Sequence, residues 1–179
     1  MSKLADQVRQ AVAAFAVCKT QPALIGGLAL AAHDVVRATR DVDFLVDADD
    51  AQKVHDALGA LGYTCNHRSE DAANYIRGDQ RLDLLYARRP VARKLLDCAS
   101  VRNTVMGRLR VISAEGLIGF KVQALVNAPE RAGDRADILA LLRAGRGKLN
   151  MREVREYFAL FDRTDLLDEM LGQIDDDAR

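Results

Sequence analysis

The 179-residue chain has no tryptophan, only three prolines and three cysteines, and no excess charge, because its 26 basic and 26 acidic side chains cancel. Without a charge excess, the composition gives no argument for a nucleic-acid-binding or membrane-binding protein. The cysteines Cys18, Cys65 and Cys98 stand far apart, so they predict neither a disulfide framework nor a paired zinc motif. We therefore expect reduced thiols and a cytoplasmic protein.

Long apolar runs are also missing. No stretch approaches the ~18 apolar residues of a membrane span, and the opening MSKLADQ lacks the apolar region of a secretory signal. We therefore expect no membrane among the partners. The composition, 49% hydrophobic and 29% charged, is typical of a globular protein.

Hydrophobic periodicity divides the chain near residue 112, since short strand patterns alternate with helices before it and only helical patterns follow. We predict an α/β (α+β) fold, with a small mixed sheet and flanking helices in residues 1–112 and a helical region in residues 113–179 packed on it. The predicted strands cover 22–25, 41–46, 63–67, 74–77 and 81–86, with a hairpin over 104–112 around Met106-Gly107. The predicted helices cover 4–17, 28–36, 49–61, 90–96, 113–127, 130–144, 151–160 and 164–173.

The first feature with chemical content is the pair Gly26-Gly27, between a predicted strand and a predicted helix. Two glycines let a ligand come close to the backbone, and the start of a helix offers unpaired N–H groups. This combination suits a phosphate group. The alternative is that the glycines serve only the geometry of the turn.

Aspartates form the second feature. Asp41 and Asp43 share one face of a predicted strand, with Cβ atoms about 7 Å apart, and such carboxylates can converge on Mg²⁺. The alternative is a solvated strand face. Asp83 is a single acid in the apolar segment RLDLL. If its strand lies beside that of Asp41 and Asp43, three carboxylates meet and can hold two Mg²⁺ ions.

In this order, the strand–GG–helix segment, R-x-T-x-D-x-D over residues 37–43 and the later acid Asp83 resemble the nucleotidyltransferase fold of the DNA polymerase β superfamily. The resemblance covers residues 20–142. Its helical part is similar to the small stand-alone bacterial members, including the AbiEii-type toxin nucleotidyltransferases, and is carried by Lys121, Arg131, Asp134 and Asp137.

The chain also departs from these relatives at two positions. Gly27 stands where many members have a serine that touches the nucleotide phosphate. Gly133 stands where the AbiEii-like pattern often has a lysine. The first departure leaves the phosphate contact to backbone N–H groups, and the second concerns the subgroup more than the fold.

The resemblance implies transfer of a nucleoside monophosphate from an NTP such as ATP to an acceptor hydroxyl. It implies that Asp41, Asp43 and Asp83 are catalytic and bind two Mg²⁺ ions, with Asp83 also activating the acceptor. It further implies nucleotide contacts from Gly26, Gly27, Thr39, Arg40 and, across a cleft between the two halves, Lys121.

The residues alone also allow structural roles for several of these side chains. Arg40 is also explained as a salt-bridge partner of Asp41 or Asp43, and Lys121 as a solvent-facing lysine. The helix segment with Arg131, Asp134 and Asp137 is interpreted mainly as a structural ion-pair network.

Residues 88–110 carry the strongest charge asymmetry. They hold one acid, Asp97, and the seven basic residues Arg88, Arg89, Arg93, Lys94, Arg102, Arg108 and Arg110. Because this stretch directly follows the strand of Asp83, we expect it near the mouth of the site. Because local positive charge attracts polyanions, we also expect an RNA acceptor, tRNA above others, rather than an aminoglycoside, whose positive charge the stretch would repel. The alternative is that the arginines only solvate a hairpin. The toxin resemblance adds an antitoxin protein as an expected partner.

Two other hypotheses stay open. The first is a catalytically silent nucleotide- or partner-binding module of the same fold, which the missing serine at Gly27 favours and the complete set of Asp41, Asp43 and Asp83 disfavours. A ferredoxin-like or Rossmann-like domain with coincidental acids is the second, although no G-x-G-x-x-G motif supports dinucleotide binding. His33, His55 and His67 are isolated and predict no catalytic histidine.

Overall fold

The computed structural model describes residues 3–177, which form a seven-stranded mixed sheet and eight α-helices. The strands are β1 Ala23–Ile25, β2 Asp41–Asp47, β3 Thr64–Arg68, β4 Ala72–Arg77, β5 Gln80–Ala87, β6 Ser100–Thr104 and β7 Gly107–Val111. The helices are α1 Lys3–Ala14, α2 Gly26–Ala31, α3 Ala51–Ala60, α4 Pro90–Asp97, α5 Ala114–Asn127, α6 Ala132–Ala144, α7 Met151–Ala159 and α8 Thr164–Asp176. This architecture confirms the predicted fold class.

The chain divides into two compact units. The first holds the residues up to Ala32 together with Arg37–Ile112, and it contains the sheet, in the order β3-β4-β5-β2-β1-β7-β6, and helices α1 to α4. The second holds His33–Val36 and the residues from Ser113 onward, with helices α5 to α8. Over residues 3–177, no helix has the length and apolar character needed to cross a membrane.

Alternation along β2 produces the two faces of the sheet. Val42, Phe44 and Val46 are buried, whereas Asp41 is exposed and Asp43 is half-buried on the other face. The ring of Phe15, which follows α1, packs edge-on against Phe44 with ring centroids 5.0 Å apart. The first face is therefore core, whereas the second carries Asp41 and Asp43 at the start of β2 and the buried Leu45 further along it.

Asp50, just before α3, anchors the loop that leads into β1. Its buried carboxylate accepts hydrogen bonds from the N–H groups of Lys19 at 2.8 Å and Thr20 at 3.1 Å, and it pairs with Lys53 at 2.8 Å. Burial alone would raise the pKa of Asp50, but hydrogen bonds from Lys53, Thr20 and Lys19 together lower it. The resulting stabilisation is present above the ordinary carboxyl pKa and is lost as the pH falls through the lowered one.

Two predicted boundaries are wrong. The helix expected over 28–36 ends at Ala31, and Asp34 adopts a left-handed φ of 63°, which a continuing helix would not allow. The hairpin expected around Met106-Gly107 turns at residues 105–106 instead, because its first strand begins at Ser100 and Gly107, with φ at 109°, begins the second.

Candidate active site

Strand register brings the three predicted catalytic aspartates to one face of the sheet. Strands β2 and β5 run parallel, with Asp43 beside Asp83 and Asp41 beside Arg81. Because side chains alternate along a strand and paired residues share a face, all three aspartates point to the same side. Asp43 and Asp83 are half-buried, and Asp41 is exposed.

Asp43 and Asp83 belong to a polar row that continues across the sheet. Asn74 on β4 lies opposite Asp83, and His67 on β3 lies opposite Asn74. The side-chain amide of Asn74 donates a hydrogen bond to Oδ1 of Asp83 at 2.7 Å. Within this row, Asn74 therefore supplies the donor that holds the carboxylate of Asp83.

Sequence reasoning missed Asn74 and Arg81 as neighbours of the aspartates. The predicted turn at Gly78-Asp79 carries the signal, because pairing residues outward from it sets position 74 opposite Asp83. Arg81 needs the β2–β5 pairing as well, which a single sequence does not specify. Arg81 is exposed on the same face as the acids and forms no ion pair within residues 3–177.

Gly26, at the end of β1, lies directly against Asp43. Its φ of +65° is in the left-handed region, and a Cβ there would lie 2.1 Å from Oδ2 of Asp43. The pairing of β1 with β2, which sets Ile25 beside Asp43, creates this contact. Only glycine therefore lets the carboxylate approach the turn this closely.

Gly27 meets Thr39 in a similar way. A Cβ at position 27 would lie 2.9 Å from both Cβ and Oγ1 of Thr39, so the threonine fills the space that a side chain there would need. The Thr39 hydroxyl also donates to the backbone carbonyl of Asp41 at 3.4 Å. The absence of serine at position 27 therefore has a packing reason in this chain.

Arg40 is exposed and forms no ion pair with any described residue, 3–177. The salt bridge with Asp41 or Asp43 that the sequence suggested is therefore absent. Strand alternation explains the difference, because Arg40 and Asp41 are consecutive and consecutive side chains point to opposite faces. Its role as a nucleotide ligand stays a prediction.

The aspartates have the right chemistry for a divalent cation but do not form a three-ligand cluster. Within the described part of the chain, no group of three or more Asp, Glu, His or Cys side chains could hold one ion. Asp43 and Asp83 are nevertheless neighbours of like charge on a half-buried face, an arrangement that a nearby cation stabilises. Their hard oxygen atoms suit Mg²⁺, and Asp41 offers a further oxygen donor on the same face.

Lys121 belongs to the second unit, where it forms a buried ion cluster between α5 and α6. Its Nζ lies 2.9 Å from Oδ1 of Asp134 and 2.6 Å from Oδ2 of Asp137. Nε of Arg131 lies 3.0 Å from Oδ2 of Asp134. The interpretation of Lys121 as solvent-facing is therefore wrong, and the predicted ion-pair network is confirmed. The contact of Lys121 with a nucleotide stays a prediction.

Lys121→Met is expected to lower the free energy of unfolding by about 3–5 kcal/mol, because Asp134 and Asp137 would stay buried without this ammonium. Urea unfolding followed by circular dichroism measures the change. Lys148→Met is the matched control, since Lys148 is exposed and forms no ion pair with the described residues, and it should change stability by about 0.5 kcal/mol or less. Equal stability of the two variants would contradict a stabilising role for the cluster.

The basic stretch 88–110 is partly used within the fold. Arg93 pairs with Asp49 at 3.0 Å and Asp47 at 3.4 Å, and its hydrogen bond lowers the pKa of Asp49. Arg110 donates to backbone carbonyl oxygens, and Arg88 contacts Glu70. The basic side chains of this stretch that form neither an ion pair nor a hydrogen bond with residues 3–177 are Arg89, Lys94, Arg102 and Arg108.

The β6–β7 hairpin extends away from the aspartates. Strand β7 runs parallel to β1, with Val111 beside Leu24. Arg108 precedes Val111 by three residues, which places it about 10 Å back along the strand direction. Asp43 pairs with Ile25, the residue after Leu24, so Asp43 lies in the opposite direction along β1 from Arg108. The expectation that the whole basic stretch lies at the mouth of the site is therefore wrong for the hairpin.

Comparison with known proteins gives one matching family and several similar folds. The model of an uncharacterised nucleotidyltransferase family matches residues 2–106, more than half of the chain. A search of curated proteins gives no match.

Three solved structures resemble the chain over nearly its full length. The solution structure of the antibiotic-resistance factor ANT(2'')-Ia is 17% identical, covers 94% of this chain and 97% of its own, and has a TM-score of 0.65. The crystal structure of ANT(2'')-Ia in complex with adenylyl-2''-tobramycin is 15% identical, covers 90% and 98%, and has a TM-score of 0.70. An antigenic nucleotidyltransferase-like protein from Paracoccidioides brasiliensis is 18% identical, covers 96% and 93%, and has a TM-score of 0.55. At these identities, the likeness is one of fold.

Proposed function

Because the chain belongs to the family of uncharacterised nucleotidyltransferases, we propose that it transfers a nucleoside monophosphate from an NTP to an acceptor hydroxyl with the help of Mg²⁺. The observation that carries this proposal is the position of Asp43, paired with Asp83 in the sheet and lying against the backbone of Gly26. Two acids beside a turn with no side chains suit a site that brings a cation and a triphosphate together.

The proposed reaction forms a bond between the acceptor oxygen and the α-phosphorus of the NTP. The bond from that phosphorus to the oxygen bridging to the β-phosphate breaks, and pyrophosphate leaves. Asp83 takes the proton of the acceptor hydroxyl. Asp41 and Asp43 would hold one Mg²⁺ ion and Asp83 the second, so no single ion needs all three carboxylates. Bound Mg²⁺ neutralises phosphate charge in such reactions.

We place the triphosphate over the Gly26-Gly27 turn. Thr39 supports this placement, because its side chain packs against Gly27 and lies next to the segment that enters β2. Arg40 and Arg81, both exposed and without ion pairs among residues 3–177, are the cations proposed to meet the phosphates. For Lys121, a phosphate contact rests on the resemblance alone. In the structure its ammonium contacts the carboxylates of Asp134 and Asp137.

Adding Mn²⁺ or Mg²⁺ together with ATP is expected to raise the melting temperature, because ligands that bind only the folded state stabilise it. The same protein is then incubated with each α-³²P-labelled NTP, Mg²⁺ and one of three acceptors: water, total tRNA or tobramycin. Transfer of label, or release of pyrophosphate, supports the enzyme. A thermal shift without label transfer or pyrophosphate release would favour the catalytically silent module. The absence of both a thermal shift and a reaction would overturn the proposal.

For the acceptor we propose RNA, with tRNA tested first, which corresponds to the AbiEii-like subgroup and a neutralising antitoxin protein. The unpaired Arg89, Lys94, Arg102 and Arg108 of the first unit support a polyanion. A folded RNA is long enough to contact both the hairpin and the aspartates. The adenylyl-tobramycin bound to ANT(2'')-Ia is the reason for the tobramycin arm, because it is the acceptor product named for a structure of similar fold.

Replacing Arg102 and Arg108 together by alanine is expected to weaken tRNA binding and reduce the slope of log affinity against log salt by roughly 1.5, the sum for two phosphate contacts. Gel shifts at several salt concentrations measure both quantities. The matched control removes two exposed cations of the second unit, Lys148 and Arg152, and should keep the wild-type slope. Equal slopes for the two variants, or no binding by the wild type, would exclude the hairpin as an RNA surface.

A further inference from the structure

Asn74 lies next to the acid that is proposed to accept the proton of the substrate hydroxyl. Its side-chain amide donates to Oδ1 of Asp83 at 2.7 Å. We propose that Asn74 is a positioning residue, which fixes one carboxylate oxygen of Asp83 so that the other faces the acceptor hydroxyl. This inference rests on the proposed function.

Two ladders hold this pair in place. The antiparallel β4–β5 ladder sets Asn74 opposite Asp83, and the parallel β2–β5 ladder sets Asp43 on the other side of Asp83. The flanking residues Tyr75 and Leu82 are buried in the core, so the backbone on both sides of the hydrogen bond is fixed. The donor is therefore supplied by the rigid part of the sheet and not by a loop.

The carboxylate of Asp83 has few other restraints. Over residues 3–177 it forms no ion pair and no hydrogen bond apart from the one with Asn74. The terminal torsion of an aspartate is broad and roughly two-fold, so a carboxylate without a partner samples many orientations. The hydrogen bond from Asn74 selects one of them.

A neutral amide suits this task better than a charged side chain. A lysine at position 74 would pair with Asp83 and neutralise the negative charge that proton transfer requires. An aspartate would repel it. The amide donates through Nδ2 without adding charge, so Asp83 is oriented and still available to accept a proton.

The test compares Asn74→Leu, which has a similar branched shape and no donor, with the wild type. We expect kcat for pyrophosphate release from ATP in Mg²⁺ to fall about 10- to 100-fold, as is typical for residues that orient ligating or reacting groups. The KM for ATP should stay within twofold, and Mn²⁺ affinity measured by electron paramagnetic resonance should fall. In an Asp83→Asn background, Asn74→Leu should cause no further loss of Mn²⁺ affinity.

The outcomes separate this inference from the proposed function. A wild type that neither releases pyrophosphate nor binds Mn²⁺ overturns both. If the wild type is active and Asn74→Leu is equally active, the role of Asn74 alone is overturned. The same holds if Asn74→Leu lowers Mn²⁺ affinity as much in the Asp83→Asn background as in the wild type. Asn74→Ala removes the donor without adding charge and should show the same fall in kcat, so misfolding of the leucine variant does not decide the result. Asn103→Leu, an exposed strand asparagine on β6, should leave kcat unchanged.

Discussion

Asp43→Asn and Asp83→Asn are each expected to lower the rate of nucleoside monophosphate transfer about 1000-fold or more, a loss typical of removing one member of a catalytic group. Both substitutions keep the size of the side chain but remove a charge needed to hold a cation or to accept a proton. The rate of pyrophosphate release from ATP in Mg²⁺ measures the loss. This assay can be run on both variants without knowledge of the natural acceptor.

The stability of Asp83→Asn should change in the opposite direction. Asp83 lies beside Asp43 on a half-buried face, so removing the charge of Asp83 relieves repulsion in the metal-free protein. We expect an unchanged or higher melting temperature without metal and a smaller rise when Mn²⁺ and ATP are added. Greater stability with lower activity is the pattern expected when acids are placed together for function.

Asp79→Asn is the control for charge removal in the same unit. Asp79 lies in the turn between β4 and β5, is exposed, and among residues 3–177 pairs only with the exposed Lys3. Its replacement should leave the rate of pyrophosphate release and the melting temperature near the wild-type values. Wild-type activity in Asp43→Asn or Asp83→Asn would place the chemistry elsewhere on the molecule.

Local pattern was sufficient to predict the parts of the site that lie within one strand. The alternation of Asp41, Val42 and Asp43 fixes which side chains share a face, whatever strand lies beside them. The hairpin at Gly78-Asp79 equally fixes the pairing of β4 with β5. These features follow from residues close together in the sequence.

Features that depend on strand order were not predictable in this way. The contact between Gly26 and Asp43 exists because β1 inserts between β2 and β7, and it pairs antiparallel with β2. The partners of Lys121 depend on how α5 and α6 pack, since both aspartates lie on the following helix. Long-range pairing of this kind is set by the packing of the whole unit, and one sequence gives little direct signal for it.

Gly26→Ala is expected to reduce activity at least about 100-fold, because a misplacement of about 1 Å at a reacting group can cost this much. The new Cβ would meet not only Oδ2 of Asp43 but also its Cγ at 2.6 Å and Cβ at 2.8 Å. A rotation of the aspartate side chain moves Oδ2 and leaves Cβ in place. The turn itself therefore has to shift away from β2, and pyrophosphate release from ATP reports the consequence.

A cycle with Asp43→Ala separates the two causes of damage at position 26. In the wild-type background, Gly26→Ala should cost the left-handed conformation of an L-residue, about 1–2 kcal/mol, plus the clash with Asp43. In the Asp43→Ala background the contacts with Oδ2 and Cγ disappear, so the loss in the free energy of unfolding should be smaller. Equal losses in both backgrounds would contradict the contact between the turn and the aspartate.

Gly59→Ala is the matched control: Gly59 lies in α3 with nothing within 4 Å of an added Cβ, so alanine should stabilise the helix by about 0.5–1 kcal/mol. The same chemical change is thus expected to have opposite signs at two glycines, because only Gly26 has a carboxylate where the methyl group would go.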